Sequence, residues 1–213
     1  MIVLKSAVKS AVKTGIAPAL LAIACAVPLL QGCLPVVAGG VAAGVLAADD
    51  RRSVNAQADD KVIGLRVDKA INDVYSDRVH VNINPFNGRV LLTGEVPDEK
   101  AKAEVARLAG GVEKVKAVIN EVQVGPNASV AGRSNDAVIT SLVKGNFVDD
   151  KDVLANAFKV VTEANVVYLM GLVTRAEGDR ASQVAARTRG VKQVVRVFEY
   201  IEQAPRQAGS DKK

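Results

Sequence analysis

From residue 59 onward the chain reads twice through one pattern, and no other feature limits its fold so tightly. In the first copy a helical segment over Asp59–Tyr75 sets Val62, Leu65, Ile71 and Val74 at near-helical spacing. Val79, Val81 and Ile83 then alternate with His80, Asn82 and Asn84, the period of a half-buried strand. Asn87-Gly88 marks a hairpin turn, because both residues tolerate positive φ. Arg89–Glu95 returns as a strand, Pro97-Asp98 opens a second helix that Gly110-Gly111 closes, and Val112–Val124 is the last strand.

The second copy keeps this order. Asn135–Phe147 is its first helix, Phe158, Val160 and Thr162 alternate on a strand, and Val166–Val173 is the next. Thr174-Arg-Ala-Glu177 fits a capping box, Gly190 ends the second helix, and Val191–Ile201 closes the copy. Gly94 and Gly171 are 77 residues apart, whereas Gly111-Val112 and Gly190-Val191 are 79 apart, which predicts a slightly longer loop at Thr174–Asp179. Each copy of about 65 residues thus reads αββαβ, an α+β unit with a small mixed sheet and two helices on one face. Units so small are marginal alone, so the two copies are expected to touch.

Composition fixes what can fill that core. The 213 residues are 49% hydrophobic but only 3% aromatic, so Val, Ala, Leu and Ile must supply the packing. The formal charge of +5 overstates the basicity, since Lys5, Lys9 and Lys13 precede residue 33 and no acid does. From residue 33 on there are 25 basic and 23 acidic residues, a poor footprint for nucleic acid.

Those three lysines are followed by an uncharged run with Ile16, Leu20, Leu21, Ile23, Val27, Leu29 and Leu30, then Gly32-Cys33. This is a secretory leader pattern, and Leu30-Gln31-Gly32-Cys33 resembles a bacterial lipobox whose Cys receives diacylglycerol and becomes the new N-terminus. The competing reading is an uncleaved membrane anchor, against which Pro18, Pro28, Pro35, Gly39 and Gly40 stand. Leu34 after the Cys lacks the Asp that resembles an inner-membrane retention signal, so the outer membrane is the expected address. The expected organisation is a signal peptide over 1–32, an acylated Cys33 and flexible linker over 33–58, repeat units at 59–125 and 134–203 joined by a linker over 126–133, and a polar tail over 204–213.

Little in the sequence suggests catalysis. The single His80 lies on the polar phase of a strand, where a surface role is expected, since general-base work needs a positioned partner and a nucleophile. Asp149, Asp150 and Asp152 lack EF-hand spacing and enclose Lys151, so they read as a solvated loop. Gly110-Gly111 ends a helix rather than opening one, the wrong order for a nucleotide fingerprint. Arg187, Arg189, Lys192 and Arg196 admit two readings, helix-dipole compensation or contact with anionic headgroups. The expectation is a non-enzyme with no cofactor, no metal, no nucleic acid and no small-molecule substrate. Residues 128–213 hold 13 bases, 10 acids and five of the seven aromatics, which favours the second copy as the membrane-facing one.

The spacing Asn87-Gly88-Arg-Val-Leu-Leu-Thr-Gly94, the Ala-rich helix and Gly111-Val112-x-x-Val115 resemble a BON domain, as do Val167-Tyr-Leu-Met-Gly171 and Gly190-Val-Lys-Gln-Val194. With the lipobox, Arg52-Ser53-Val54 and Ser134-Asn-Asp-Ala-Val-Ile-Thr140, the whole chain is similar to dual-BON outer-membrane lipoproteins. That resemblance implies a lipid-anchored protein facing the periplasm, concentrated at division sites, that supports envelope integrity and binds anionic phospholipid through the first helix of its second domain. Carried onto this sequence, the contact residues are Arg133, Val138, Ser141, Leu142, Lys144 and Phe147, with Val138 standing where the family often has Trp. On that helix Val138 and Leu142 share one apolar line and Ile139 and Val143 another, and at least one must face the core. Aligning Ile139 with Val62 and Leu142 with Leu65 leaves Leu142 open to a core role, and both lines buried is the plainer alternative. The alternative functions are a protein-interaction factor for outer-membrane assembly, division or cell-wall-remodelling proteins, or a periplasmic chaperone.

Overall fold

The computed structural model describes residues 50–203. The leader, Cys33, most of the linker and the polar tail lie outside the described residues.

Helix α1 spans Val54–Tyr75 and starts earlier than Asp59, because Ser53 caps it by accepting from the Ala56 amide. Strands β1 (His80–Phe86) and β2 (Arg89–Val96) form an antiparallel hairpin. Its turn residues Asn87 and Gly88 have φ of 53° and 80°, as that turn type needs. Helix α2 (Glu99–Gly110), capped by Asp98, carries the chain back so that β3 (Ala117–Asn120) and β4 (Gln123–Val124) both run parallel to β2. The last strand is therefore two short pieces, not one run from Val112.

The second copy has α3 (Val130–Asp149), β5 (Phe158–Glu163), β6 (Val166–Val173), α4 (Arg175–Ala186) and β7 (Gln193–Tyr200). Ser129 caps α3, so the helix begins inside the stretch read as linker. The capping box of Thr174 and Glu177 is complete, and α4 starts directly after it, so the longer loop expected there does not exist. The alignment that required it was wrong at one point. Gly190 corresponds to Lys114, not Gly111: both have positive φ, and the amides of Val191 and Val115 bond back to Thr188 and Val112 respectively.

Alternation along β2 and β6 builds two kinds of core. Val90, Leu92 and Val96 point to α1 and α2, where they meet Ile63, Val67, Ile71, Ala101, Val105 and Ala109. Ile63, Val67 and Ile71 repeat every four residues, so the packed stripe of α1 runs through them and leaves Val62 and Leu65 in solvent. The second copy fills the same space with Val167, Leu169, Val173, Ile139, Val143 and Phe147.

The opposite phase of each sheet packs on the other copy. Phe86, Leu91, Tyr168, Met170 and Val197 form one cluster, so the two sheets lie back to back with helices outside. All three clusters close within residues 50–203, which therefore carry their own cores.

Candidate functional site

Helix α3 has one buried stripe and one bare side. Asp136, Ile139, Val143 and Phe147 are buried, at spacings of three and four. Val138 is 57% exposed and Leu142 43% exposed, so this line faces solvent and Leu142 is not a core residue. Arg133, Ser141 and Lys144 are exposed beside it, and the Ser141 hydroxyl donates to the Ala137 carbonyl. Phe147 is the exception among the six expected contacts. It is 1% exposed, and its ring packs edge-on against Phe158 at 5.5 Å, so it serves the core and not the surface. Its place four residues beyond Val143 decides this.

Asp136 fixes the rotation of the helix. Its carboxylate accepts from the Ala164 and Asn165 amides of the β5–β6 turn, at 3.0 and 2.9 Å. With Asp136 drawn inward, Ile139 follows it into the core, and Val138 and Leu142 fall on the outer side.

The seam between the sheets is bordered by polar contacts. Asn82 donates to Glu163, Asn87 to Glu199, Arg89 to the Phe198 carbonyl and Lys159 to the Pro85 carbonyl. Arg133 borders a polar cleft of about 420 Å³ at this seam, which it shares with Asn82, Asn84, Thr140 and Glu163. Two arginines ahead of α1 also belong to the seam. Arg51 reaches the second copy, with a two-pronged contact to Glu177 at 2.6 and 2.7 Å and a third bond to the Leu172 carbonyl. That contact draws the Glu177 carboxyl down to about 2 against the effect of burial, with the Thr174 amide and hydroxyl acting in the same direction. Arg52 stays with the first copy, held by Asp50 and Asp60 and stacked 4.2 Å over the Phe86 ring. The stretch read as flexible linker is thus ordered at its end.

The other sequence candidates fall into structural roles. His80 is half-buried rather than solitary, with Nδ1 3.2 Å from Glu95. Asp150 accepts from Arg180 at 2.8 Å, which lowers its carboxyl pKa, so it ties the end of α3 to α4. Arg196 pairs with Asp179 at 2.6 Å, leaving the basic run partly neutralised. Among the described residues no helix is long and apolar enough to cross a membrane.

The BON domain model matches the chain twice, over residues 59–126 and 135–202. The chain belongs to the BON-domain family. Its two BON domains stand in tandem, and α3 is the first helix of the second. The chain is 37% identical over 175 residues to Outer membrane lipoprotein DolP of Haemophilus influenzae, covering 81% of this chain and 91% of that protein. It is 34% identical to the 21 kDa hemolysin of Actinobacillus pleuropneumoniae, over 72% of this chain and 80% of the relative. A third relative, Osmotically-inducible protein Y of Escherichia coli, is 31% identical over 64% of this chain and 70% of its own length.

Sequence reasoning passed over three residues that shape the second BON domain and its seam with the first. Asp136 was visible only as the partner of Asp60, one repeat earlier. Lys159 occupies the phase of β5 opposite Phe158 and Val160, on the sheet face that meets the first domain. Arg51 gives no local signal, because its partner lies 126 positions away.

Proposed function

We propose that this protein is an outer-membrane lipoprotein, acylated at Cys33 and facing the periplasm, that binds anionic phospholipid through its second BON domain and supports envelope integrity and division without catalysis. The observation that carries the reading is the bare face of α3. Val138 and Leu142 stand in solvent while Ile139, Val143 and Phe147 already satisfy the core, so the outer aliphatics have no packing duty. Arg133 and Lys144 flank them with positive charge that no carboxylate among the described residues neutralises. Aliphatics flanked by bases suit a helix lying shallowly in the headgroup region. The lipobox and the similarity to a relative named as an outer membrane lipoprotein support the anchoring.

The test is flotation of residues 34–213, free of the acyl anchor, with phosphatidylglycerol or phosphatidylcholine vesicles. Binding should be confined to the anionic vesicles and lost in Val138→Glu/Leu142→Glu, whose melting should stay near wild type because both positions are exposed. A folded double variant that floats as well as wild type would remove α3 from the site.

A second reading, a protein-interaction role, draws on α1, where Leu65 is 73% exposed beside Val62. Val62→Ser/Leu65→Ser should leave flotation intact under either reading. A loss of envelope integrity in cells carrying it would favour protein docking on that face.

A further inference from the structure

Where α3 runs past the seam, a cleft of about 430 Å³ opens between the two BON domains. Asp50, Arg52 and Phe86 form one wall, and Lys144, Phe158 and Lys159 the other. Space of this order accommodates a small polar ligand. Three cations converge on it, and they are unequally provided for. Arg52 has its carboxylates, Asp50 at 2.6 Å and Asp60 at 2.8 Å. Lys144 makes no hydrogen bond or ion pair among the described residues. Lys159 rises from β5 toward the first domain and has one partner there, the Pro85 carbonyl at 3.3 Å, so two of its three N–H donors are unused.

An ammonium in that position is costly to keep charged. Burial holds the Lys159 pKa down to about 8, Arg52 and Lys144 push the same way, and Asp60 opposes them. Both nearby carboxylates are already committed to Arg52. The cleft is therefore short of negative charge, and its outer lip carries Val148, an exposed aliphatic of α3.

We propose that this seam cleft is a phosphate subsite, in which Lys144 and Lys159 donate to the phosphodiester of an anionic phospholipid whose chains leave past Val148. The proposal rests on the lipid reading above and adds to it a headgroup position built by both domains. It makes the first BON domain part of the site, since Arg52, Phe86 and the Pro85 carbonyl shape the pocket. A bound phosphate favours the charged lysine, so binding and protonation of Lys159 are linked: affinity should fall as pH rises through about 8.

Residues 34–213 with lysine Cε labelled would be titrated by NMR in the presence of dihexanoyl phosphatidylglycerol, glycerol 3-phosphate or inorganic phosphate. The Lys159 midpoint should move upward from about 8 with the lipid. A shift confined to the lipid identifies a membrane headgroup, and an equal shift with inorganic phosphate identifies a soluble phosphate ligand in the same subsite. Lys159→Gln should bind phosphatidylglycerol vesicles about tenfold more weakly than wild type, and Lys159→Arg should retain binding. A static midpoint, together with wild-type affinity in a folded Lys159→Gln, overturns the proposal. If Val138→Glu/Leu142→Glu still abolishes flotation in that case, the lipid reading stands without this subsite. If flotation survives that variant but depends on Lys159, the subsite stands and the Val138–Leu142 line of α3 has no part in binding.

Discussion

Asp60 and Asp136 occupy the same place in the two repeats, each buried on the first helix of its domain with its carboxylate on the amides of its hairpin turn. Asp60 accepts from Asn87 and Gly88 at 2.7 and 2.8 Å, and Asp136 from Ala164 and Asn165 at 3.0 and 2.9 Å. A turn with positive φ at both central residues points these amides away from the sheet ladder, and a single carboxylate receives the pair.

Asp136→Ala should therefore cost about 2–3 kcal/mol of stability in urea unfolding, because two amides lose their acceptor in a partly buried site. Asp136→Asn keeps one acceptor oxygen and should cost less. An alanine variant as stable as wild type would mean that water replaces the carboxylate without penalty.

Arg51 and Glu177 give the fold an acid-sensitive tie. Glu177 titrates at about 2, below its ordinary 4.5, chiefly because of Arg51. Its contribution to stability is thus complete above about pH 4.5 and is lost as the pH falls toward 2. Arg51→Ala should destabilise by about 2 kcal/mol at pH 7 and flatten the fall in melting temperature over that acid range. Parallel acid profiles for variant and wild type would assign the fall to other carboxylates.

The Thr93 hydroxyl is buried on the seam side of β2 with no hydrogen-bond partner among the described residues. Thr93→Val keeps the branched shape and removes the stranded polar group. It should raise stability by about 1 kcal/mol, read as a higher urea midpoint at an unchanged slope. A drop in the midpoint would reveal a partner for the hydroxyl.

Cys33→Ser should abolish labelled palmitate incorporation and leave an uncleaved precursor in the inner membrane. Membrane fractionation checks this directly. Substituted protein that reaches the outer membrane at the wild-type level would end the lipobox reading.

Local rules made much of the fold legible. Asn87-Gly88, the Thr174–Glu177 box and the repeated glycines at 94 and 171 each encode a requirement that neighbouring residues reveal. Gly94 shows the point: its φ is 107°, and a Cβ there would overlap the His80 carbonyl. The rotation of the first helices was not legible, because α1 and α3 each carry two apolar lines. What selects between them is a carboxylate bonded to a turn more than 25 residues further on, as Asp60 is to Asn87 and Asp136 to Asn165. For the same reason Phe147 read as surface and Ile63 was passed over in favour of Val62. Lys159 was hidden because its environment comes from the other domain.

The two arginines at the start of the described chain have a mechanical consequence. Arg51 grips the second domain and Arg52 the first, at adjacent positions. Any pull along the chain preceding Asp50 is thus divided between both domains within two residues. Tension loads the Arg51–Glu177 and Arg52–Asp60 contacts before it can peel α1 from its sheet. A force applied there bears on the joint between the domains and not on either domain alone.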